Sequence, residues 1–387
     1  MQMKCVLVFF PSWRYFGHFA LPLFEPLAGQ FEIIFLHTEK AIYGWDDCPD
    51  LSGKGIKTVD LQSLKTFSFV KALENLQADC VVVFDKGWVQ DRALLHAAKY
   101  LSIPSLHIQH GIIAKLEGVE TKNTFNRACN EFLKILRTFR LYNATIVQLG
   151  SGAWIKSLPF QLRLLLNPNE YYYNHRNETS ADLACIIGER DRTFFSEKEG
   201  YCEEQLIPMG ALPFEKAYAL EPHDPEPRML LISQPLFEDH VLEGGLTAKA
   251  KHIREIIEAS PLPIAVKPHP REARQWYLDH FQSSELLVYP SEKDINEAIQ
   301  ECSHIIGYFS TALINALILK RPVGIIRWVD DHAYVLDLDA DGAAVRLDRA
   351  EDLHKMMDPN VERVNAGYYA YNSNVQQVLA RALGQLI

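Results

Sequence analysis

Short apolar runs alternate with amphipathic stretches along almost the whole chain. KCVLVFF (4–10), FEIIFLH (31–37), DCVVVFD (79–85) and PSLHIQH (104–110) are rich in β-branched and aromatic residues and read as strands buried on both faces. Between them, SFVKALENLQ (68–77) and QDRALLHAAKYLS (90–102) space their apolar positions as helices do. TIVQLG (145–150) and DLACIIG (182–188) continue the strand series. This β-α alternation predicts a parallel sheet covered on both faces.

A second series follows ALEPHDPEPR (219–228), a stretch with three prolines and no periodicity that reads as a connection between domains. Strands are expected at MLLISQP (229–235), PIAVKPHP (263–270), ELLVYP (285–290), HIIGYFS (304–310), PVGIIRW (322–328) and AAVRL (343–347). Helices are expected at 245–260, from Pro270 onward, at 294–302, at 311–320 and near 369–386. The expected fold class is therefore α/β, with two doubly wound Rossmann-like domains facing a cleft. The first domain spans 1–218, the linker 219–228 and the second domain 229–387, with the last helix able to return to the first domain. A length of 387 residues suits two domains. Ligands of such sheets bind beyond the carboxyl ends of the strands, so the chemistry is sought there.

Composition and charge narrow the function. The chain is 48% apolar and 23% charged, as ordinary soluble domains are. Its net charge of −10 argues against a protein that coats nucleic acid. The charge is uneven: residues 51–165 carry a net +7 and residues 166–387 a net −14. Seven scattered cysteines without a C-x-x-C pair suggest neither a disulfide framework nor a zinc ribbon. No signal peptide and no run of 18 apolar residues is visible, so the expected location is the cytoplasm. The basic stretch RACNEFLKILRTFRLYN (127–143) has two readings: a helix packed on the first sheet, or a surface that meets anionic glycan or lipid headgroups at the membrane.

Three strand ends carry candidate chemistry in the second domain. KPHPRE sets Lys267, His269 and Arg271 just after a strand, and Pro268 and Pro270 keep the segment extended. Three such donors suit a phosphate, although a strand-to-helix turn with incidental charge has the same appearance. In GYFSTALINAL, Ser310 and Thr311 stand where a helix begins, as a plain N-cap or as phosphate-gripping hydroxyls. Ser233 and Gln234, in SQPLFED, follow the first strand of this domain. No strand is followed by G-x-G-x-x-G or a Walker A loop, which disfavours NAD enzymes and P-loop ATPases.

In the first domain, HIQHGIIAKLEG places His110 at a strand end, where Gly111 lets the backbone approach a ligand closely. An imidazole that titrates near neutrality is a natural general base, and equally a natural structural histidine. Asp85, in VVFDKGW, is the rival base. Lys115 and Glu117 lie further along the His110 loop as acceptor-side candidates, with Glu117 and Glu120 as weaker bases.

With HG in the first domain and KPHP plus ST in the second, the chain resembles the GT-B glycosyltransferases. More narrowly, it is similar to enzymes of bacterial surface polymers that use cytidine-activated donors. These are the sialyl-, polysialyl- and Kdo-transferases and the CDP-glycerol glycerophosphotransferases. The first resemblance implies CMP-phosphate contacts from His269-Pro270 and Ser310-Thr311. The second implies importance for His110-Gly111 and for the histidine of KPHP, with Lys267 in place of an arginine. DKGW has Lys86 where the sialyltransferase pattern has a second acid, and GYFST only approximates the longer serine string of the teichoic enzymes.

The resulting expectation is transfer of an acidic sugar from a CMP-activated donor to a glycan or lipid-linked glycan acceptor in surface polysaccharide synthesis. It includes no cofactor, no metal and no nucleic-acid partner. Lys267, His269, Ser310 and Thr311 would stabilise the leaving phosphate, and His110 or Asp85 would deprotonate the acceptor. The D-x-D string Asp337, Asp339, Asp341 reads as solvated surface. Other readings are CDP-linked polyol-phosphate transfer, a UDP-sugar-dependent GT-B enzyme or epimerase, and a degenerate nucleotide- or glycan-binding module.

Overall fold

The apolar runs become the strands of two all-parallel sheets. In the first sheet they are β1 (Cys5–Phe10), β2 (Glu32–His37), β3 (Ile56–Asp60), β4 (Cys80–Val83), β5 (Ser105–Ile108), β6 (Leu183–Ile186) and β7 (Leu206–Pro208), in the order β3-β2-β1-β4-β5-β6-β7. The second sheet holds β8 (Glu226–Ile232), β9 (Ile264–Lys267), β10 (Leu286–Val288), β11 (Cys302–Gly307), β12 (Val323–Ile326) and β13 (Val345–Leu347), in the order β10-β9-β8-β11-β12-β13. The computed structural model describes residues 3–112, 125–166, 179–221, 223–239, 242–329, 338–358 and 365–387, with the side chains of 125–133 and 163–166 excepted. Lys115, Glu117, Glu120 and Asp337 lie outside the described residues.

Both sheets follow the doubly wound plan, in which the chain runs outward from the first strand and then returns to build the other half. The strand order reverses between β1 and β4 in one sheet and between β8 and β11 in the other. The central strands β1, β4, β6, β9 and β12 are buried along their whole length, as sheets covered on both faces require. Cysteines in β1, β4, β6 and β11 are buried and free. One glycine lets its strand pack closely. At Gly324, in β12, an added Cβ would lie 2.8 Å from both Leu347 and Met356.

The described chain divides into two compact units. One holds the residues to Gly111, those from 125 to Gly210, and Ser373 to Ile387; the other runs from Ala211 to Asn372. The closing helix, Val375–Leu386, thus belongs to the first unit, where it buries Val375, Leu379 and Leu383 and Gln376 donates to the carbonyl of Pro22. No helix among the described residues is long and apolar enough to cross a membrane.

Four elements differ from the sequence reading. TIVQLG is not a strand: it lies mostly in the helix Phe125–Gln148. Burial there follows the helical period, with Leu141, Tyr142, Thr145 and Ile146 buried and Val147 exposed. Thr145 spends its hydroxyl on the carbonyl of Leu141, 3.0 Å away, and accepts the amide of Phe69 at 3.1 Å. The strands β3 and β7 carried no clear apolar signal because they are the two edges of the first sheet, where polar residues and Pro208 are tolerated. β8 begins inside the stretch read as a linker. Its first residues are exposed, and its pairing with β11 shifts register between Cys302 and His304.

Candidate functional site

In the second unit β9, β8 and β11 lie side by side, with Lys267, Ile232 and Gly307 in lateral register. The segments that follow these residues therefore emerge on one carboxyl edge, across the reversal of strand order. His269 stands two residues beyond β9 and Ser310 three beyond β11. Two strand spacings separate those strands, about 10 Å, within the reach of side chains around one phosphate group. Gln234 ties two of the loops together: its side-chain oxygen accepts the amide of Phe309 at 3.2 Å.

His269 is held from both sides. Its backbone N–H donates to Glu272 at 2.6 Å, and its ring Nδ1 accepts the amide of Arg271 at 3.2 Å. A neutral ring with Nδ1 as acceptor carries its proton on Nε2, where it can be donated. Desolvation and the charge of Arg271 lower its pKa, against the carboxylates of Glu272 and Asp239, so the neutral form dominates at pH 7. Proline on either side suits this extended, pinned segment, with Pro268 buried and Pro270 exposed.

The organising group is Glu272, named in the sequence only as the end of KPHPRE. It is buried and accepts from the Ser233 hydroxyl at 2.9 Å, the Tyr277 hydroxyl at 2.9 Å and the Lys249 ammonium at 2.6 Å, besides the His269 amide. Lys249, also buried, bonds Glu238 at 2.5 Å and lies 4.6 Å from the Trp276 ring centre. Ser233 is therefore buried, with its hydroxyl committed to Glu272 and Tyr277.

The remaining donors divide by environment. Lys267 is buried and donates to the carbonyl of Ser291 at 3.0 Å; desolvation lowers its pKa, against the charges of Glu292 and Asp294. It braces a neighbouring loop. Arg271 is exposed and forks onto Asp239 at 2.8 and 3.1 Å. The Ser310 hydroxyl accepts the amide of Ala312 at 3.3 Å, and Thr311 stands at the start of the helix Ala312–Ile318 without a side-chain capping bond.

The first unit brings the two rival bases to adjacent strand ends. Asp85 stands two residues beyond β4 and His110 two beyond β5, one strand spacing apart. The His110 ring packs edge-on against Phe16 and Phe19, with centroids 4.6 and 5.0 Å away. Desolvation by these neighbours lowers its pKa and the Asp85 charge opposes the shift, although the residue as a whole is open to solvent. Asp85 accepts the amide of Gly87 at 2.7 Å. Gly111 takes φ +69°, a conformation glycine adopts without strain.

Behind this pair lie groups the sequence did not single out. Gln109 donates to the carbonyl of Gly111 at 3.0 Å and to Asp191, and accepts the amide of Ile187 at 2.7 Å, so it anchors the His110 turn. Burial pushes Asp191 up to about 6. Asp91 is buried, and desolvation together with the Asp85 charge raises it well above the carboxylate range. Lys86, where the sialyltransferase pattern has an acid, is fully buried against Glu199 at 3.2 Å.

Of the D-x-D string, Asp341 is exposed as a solvated surface would be, and Asp339 is not. The Asp339 side chain is buried on Arg327 at 2.8 Å; desolvation pushes its pKa up, but the bonds and charge of Arg327 outweigh it and the pKa is lowered. Asp341 accepts the hydroxyl of Tyr369 at 3.0 Å. His37, Glu39 and Asp46 place ligand atoms within 4.8 Å of one another and could hold a metal ion. The Glu39 oxygens, however, already accept from Ser12, Trp13, Asp47 and Cys48. The site is thus built first as a buried structural carboxylate.

No protein-family model and no curated protein matches the sequence. Solved structures do match it. The calicheamicin glycosyltransferase CalG4 aligns with TM-score 0.56 and 12% identity over 100% of both chains. MurG of Acinetobacter baumannii aligns with TM-score 0.55 and 15% identity over 98% of this chain and 99% of its own. The UDP-GlcNAc 2-epimerase of Methanocaldococcus jannaschii aligns with TM-score 0.52 and 14% identity over 99% and 100%. With its two parallel-sheet units and their flanking helices, the chain has the fold of the GT-B glycosyltransferases.

Proposed function

We propose that the protein is a GT-B glycosyltransferase that moves an acidic sugar from a CMP-activated donor to a glycan acceptor in surface polysaccharide synthesis. The observation that carries the reading is His269, whose backbone is pinned by Glu272 and whose Nδ1 is occupied by the Arg271 amide, so that its ring proton is set on Nε2. On the same sheet edge stand the hydroxyls of Ser310 and Thr311. As the bond from the anomeric carbon to the phosphate oxygen breaks, the electron pair stays on the phosphate. An Nε2–H donor and two hydroxyls placed in advance stabilise that charge without reorganisation. Arg271 adds charge by exchanging Asp239 for the phosphate. The reading assigns neutralisation to these groups and not to a metal.

The first unit supplies the acceptor side. The acceptor hydroxyl oxygen bonds to the anomeric carbon while its proton passes to His110 or Asp85. A histidine whose pKa is lowered is neutral at pH 7 and available as a base.

The test is thermal shift of the purified protein with CMP, CDP, UDP and GDP. A ligand that binds the native state raises its stability by RT ln(1 + [L]/Kd). Stabilisation by CMP that His269→Ala removes, with transfer from a CMP-sugar lost in the same variant, is the expected result. Preferential stabilisation by UDP overturns the donor assignment in favour of a UDP-sugar enzyme or epimerase. Full transfer by His269→Ala overturns the phosphate site. Nucleotide binding without transfer or hydrolysis identifies a binding module.

A further inference from the structure

Four aromatic side chains meet at the carboxyl edge of the first sheet. Tyr15 follows β1, Tyr43 and Trp45 follow β2, and Trp88 follows β4. Their rings form a continuous row: Trp88 to Tyr15 at 5.9 Å, Tyr15 to Tyr43 at 6.1 Å and Tyr43 to Trp45 at 4.9 Å, with the first and last pairs inclined by only 36° and 33°. Tyr15 is 48% exposed, and the other three are partly open to solvent. Cations border the row. The Arg14 guanidinium lies 4.9 Å from the Trp45 ring centre, and the Lys134 ammonium lies 5.2 Å from that of Tyr43 and 5.8 Å from that of Trp88.

A contiguous aromatic row that is exposed at Tyr15 and partly open along the rest leaves apolar surface in water that a partner could cover. The row has no aliphatic member. Aromatic faces left partly open, with cations seated over three of the four rings, suit a ring that offers C–H bonds on one side and carries a negative charge on its periphery. We propose that Arg14, Tyr15, Tyr43, Trp45, Trp88 and Lys134 form a binding platform for an acidic oligosaccharide, the acceptor of the transfer. Sugar rings stack on Tyr15, Tyr43 and Trp45, and their carboxylates compete for Lys134 and Arg14 with the partners these cations already hold, Asp47 among them. The platform also leads to the candidate base. Trp88 lies 6.5 Å from Phe16, which packs against His110, and the Trp88 amide donates to the carbonyl of Asp85 at 3.1 Å. The assignment of the ligand as acceptor rests on the transferase reading.

Tryptophan emission of the full chain, titrated with a sialic acid trimer, tetragalacturonate and neutral maltotetraose, tests the platform, because Trp45 and Trp88 are part of it. Saturable binding of at least one acidic oligosaccharide is expected, weakened about tenfold or more by Tyr15→Ala with Trp45→Ala and by Lys134→Ala. Maltotetraose is expected to bind more weakly than the acidic ligands and to be insensitive to Lys134→Ala. Tyr15 is an exposed position, so the single Tyr15→Ala variant is expected to keep the fold and still to weaken binding of the acidic ligands. Binding of neither acidic oligosaccharide, or binding unchanged in the variants, overturns the proposal. So does variant-sensitive adsorption to phosphatidylglycerol vesicles in place of oligosaccharide binding. Acidic oligosaccharide binding without any nucleotide-induced thermal shift leaves the platform standing and removes the transferase reading; nucleotide binding with no oligosaccharide binding does the reverse.

Discussion

Replacing Glu272 with alanine strikes the group that joins the second unit's stability to its candidate chemistry. The carboxylate accepts four hydrogen bonds, from Lys249, Ser233, Tyr277 and the backbone of His269, and all of its partners except His269 are buried. Breaking a buried ion pair by removing one partner costs about 3–5 kcal/mol. The lower end applies, because Lys249 keeps Glu238 at 2.5 Å and its charge is not abandoned. A loss of about 3 kcal/mol in a unit of this size lowers its melting temperature by roughly 6–12 °C. Glu272→Gln keeps the volume but sets an N–H₂ among donors, and is expected to cost about 2 kcal/mol. Lys249→Met combined with Glu272→Met removes both charges and is expected to fall well short of the sum of the single losses. The assay is denaturant unfolding of the three variants, with hydrogen exchange of the peptide covering β9 and the helix Arg274–His280. The exchange readout separates this unit from the other, which a single melting curve does not. In Glu272→Ala the His269 amide loses protection and nucleotide binding falls with it. If Glu272→Ala costs under about 0.5 kcal/mol and leaves that amide protected, Glu272 is not the organiser of this loop.

Other expectations test other parts of the structure. If His110 is the base, the acid limb of kcat/KM follows its protonation, and activity rises with pH through a value below the ordinary histidine range; Asp85→Asn removes the charge that raises this value, so the limb moves to lower pH with turnover retained. Abolished turnover in Asp85→Asn, with His110→Ala active, gives the role to Asp85 instead. Burial lowers His252 to about 4, so between pH 6.5 and about 4 the unfolded chain binds a proton that the folded chain refuses; stability falls with pH across that window by about 3 kcal/mol, and His252→Phe flattens the slope in acid unfolding curves. Gly324→Ala places a methyl 2.8 Å from Leu347 and Met356 and is expected to cost about 1–3 kcal/mol in denaturant melts, while Ala at the open Gly384 costs nothing measurable.

The fold was legible where burial on both faces writes itself into composition. β1, β4, β6 and β12 are unbroken apolar runs because water reaches neither side of them. The edges of the first sheet were not legible: β3 reads IKTVD, since an edge strand has one free hydrogen-bonding side and need not be apolar, and β7 is only LIP, three residues ending in proline. The opposite error, TIVQLG as a strand, shows composition overruled by tertiary context. Its β-branched residues sit in a helix whose buried face packs Leu141 and Ile146 while Val147 meets solvent.

The site was legible by type and position but not by allegiance. Lys267, His269 and Arg271 look alike in sequence as three donors in alternation, yet their partners divide them. The carbonyl of Ser291 holds Lys267, Asp239 holds Arg271 at the surface, and only His269 is set by its neighbours to carry a donor proton on a chosen nitrogen. The residue that pins its backbone, Glu272, carries no motif signal, because its partners Ser233 and Lys249 come from 39 and 23 residues away. The charge asymmetry has the same character. The basic side chains of the helix Phe125–Gln148 are not a simple solvated stripe. Lys134 lies over Tyr43 and Trp88, Arg140 lies 4.3 Å from the Phe67 ring centre, and Arg137 donates to the carbonyl of Ile42 at 3.0 Å. Cations spent on aromatic faces and backbone oxygens contribute little to a diffuse attraction for a membrane. Of these cations Lys134 lies on the aromatic row, the surface proposed above to recognise an anionic sugar by contact rather than by long-range field.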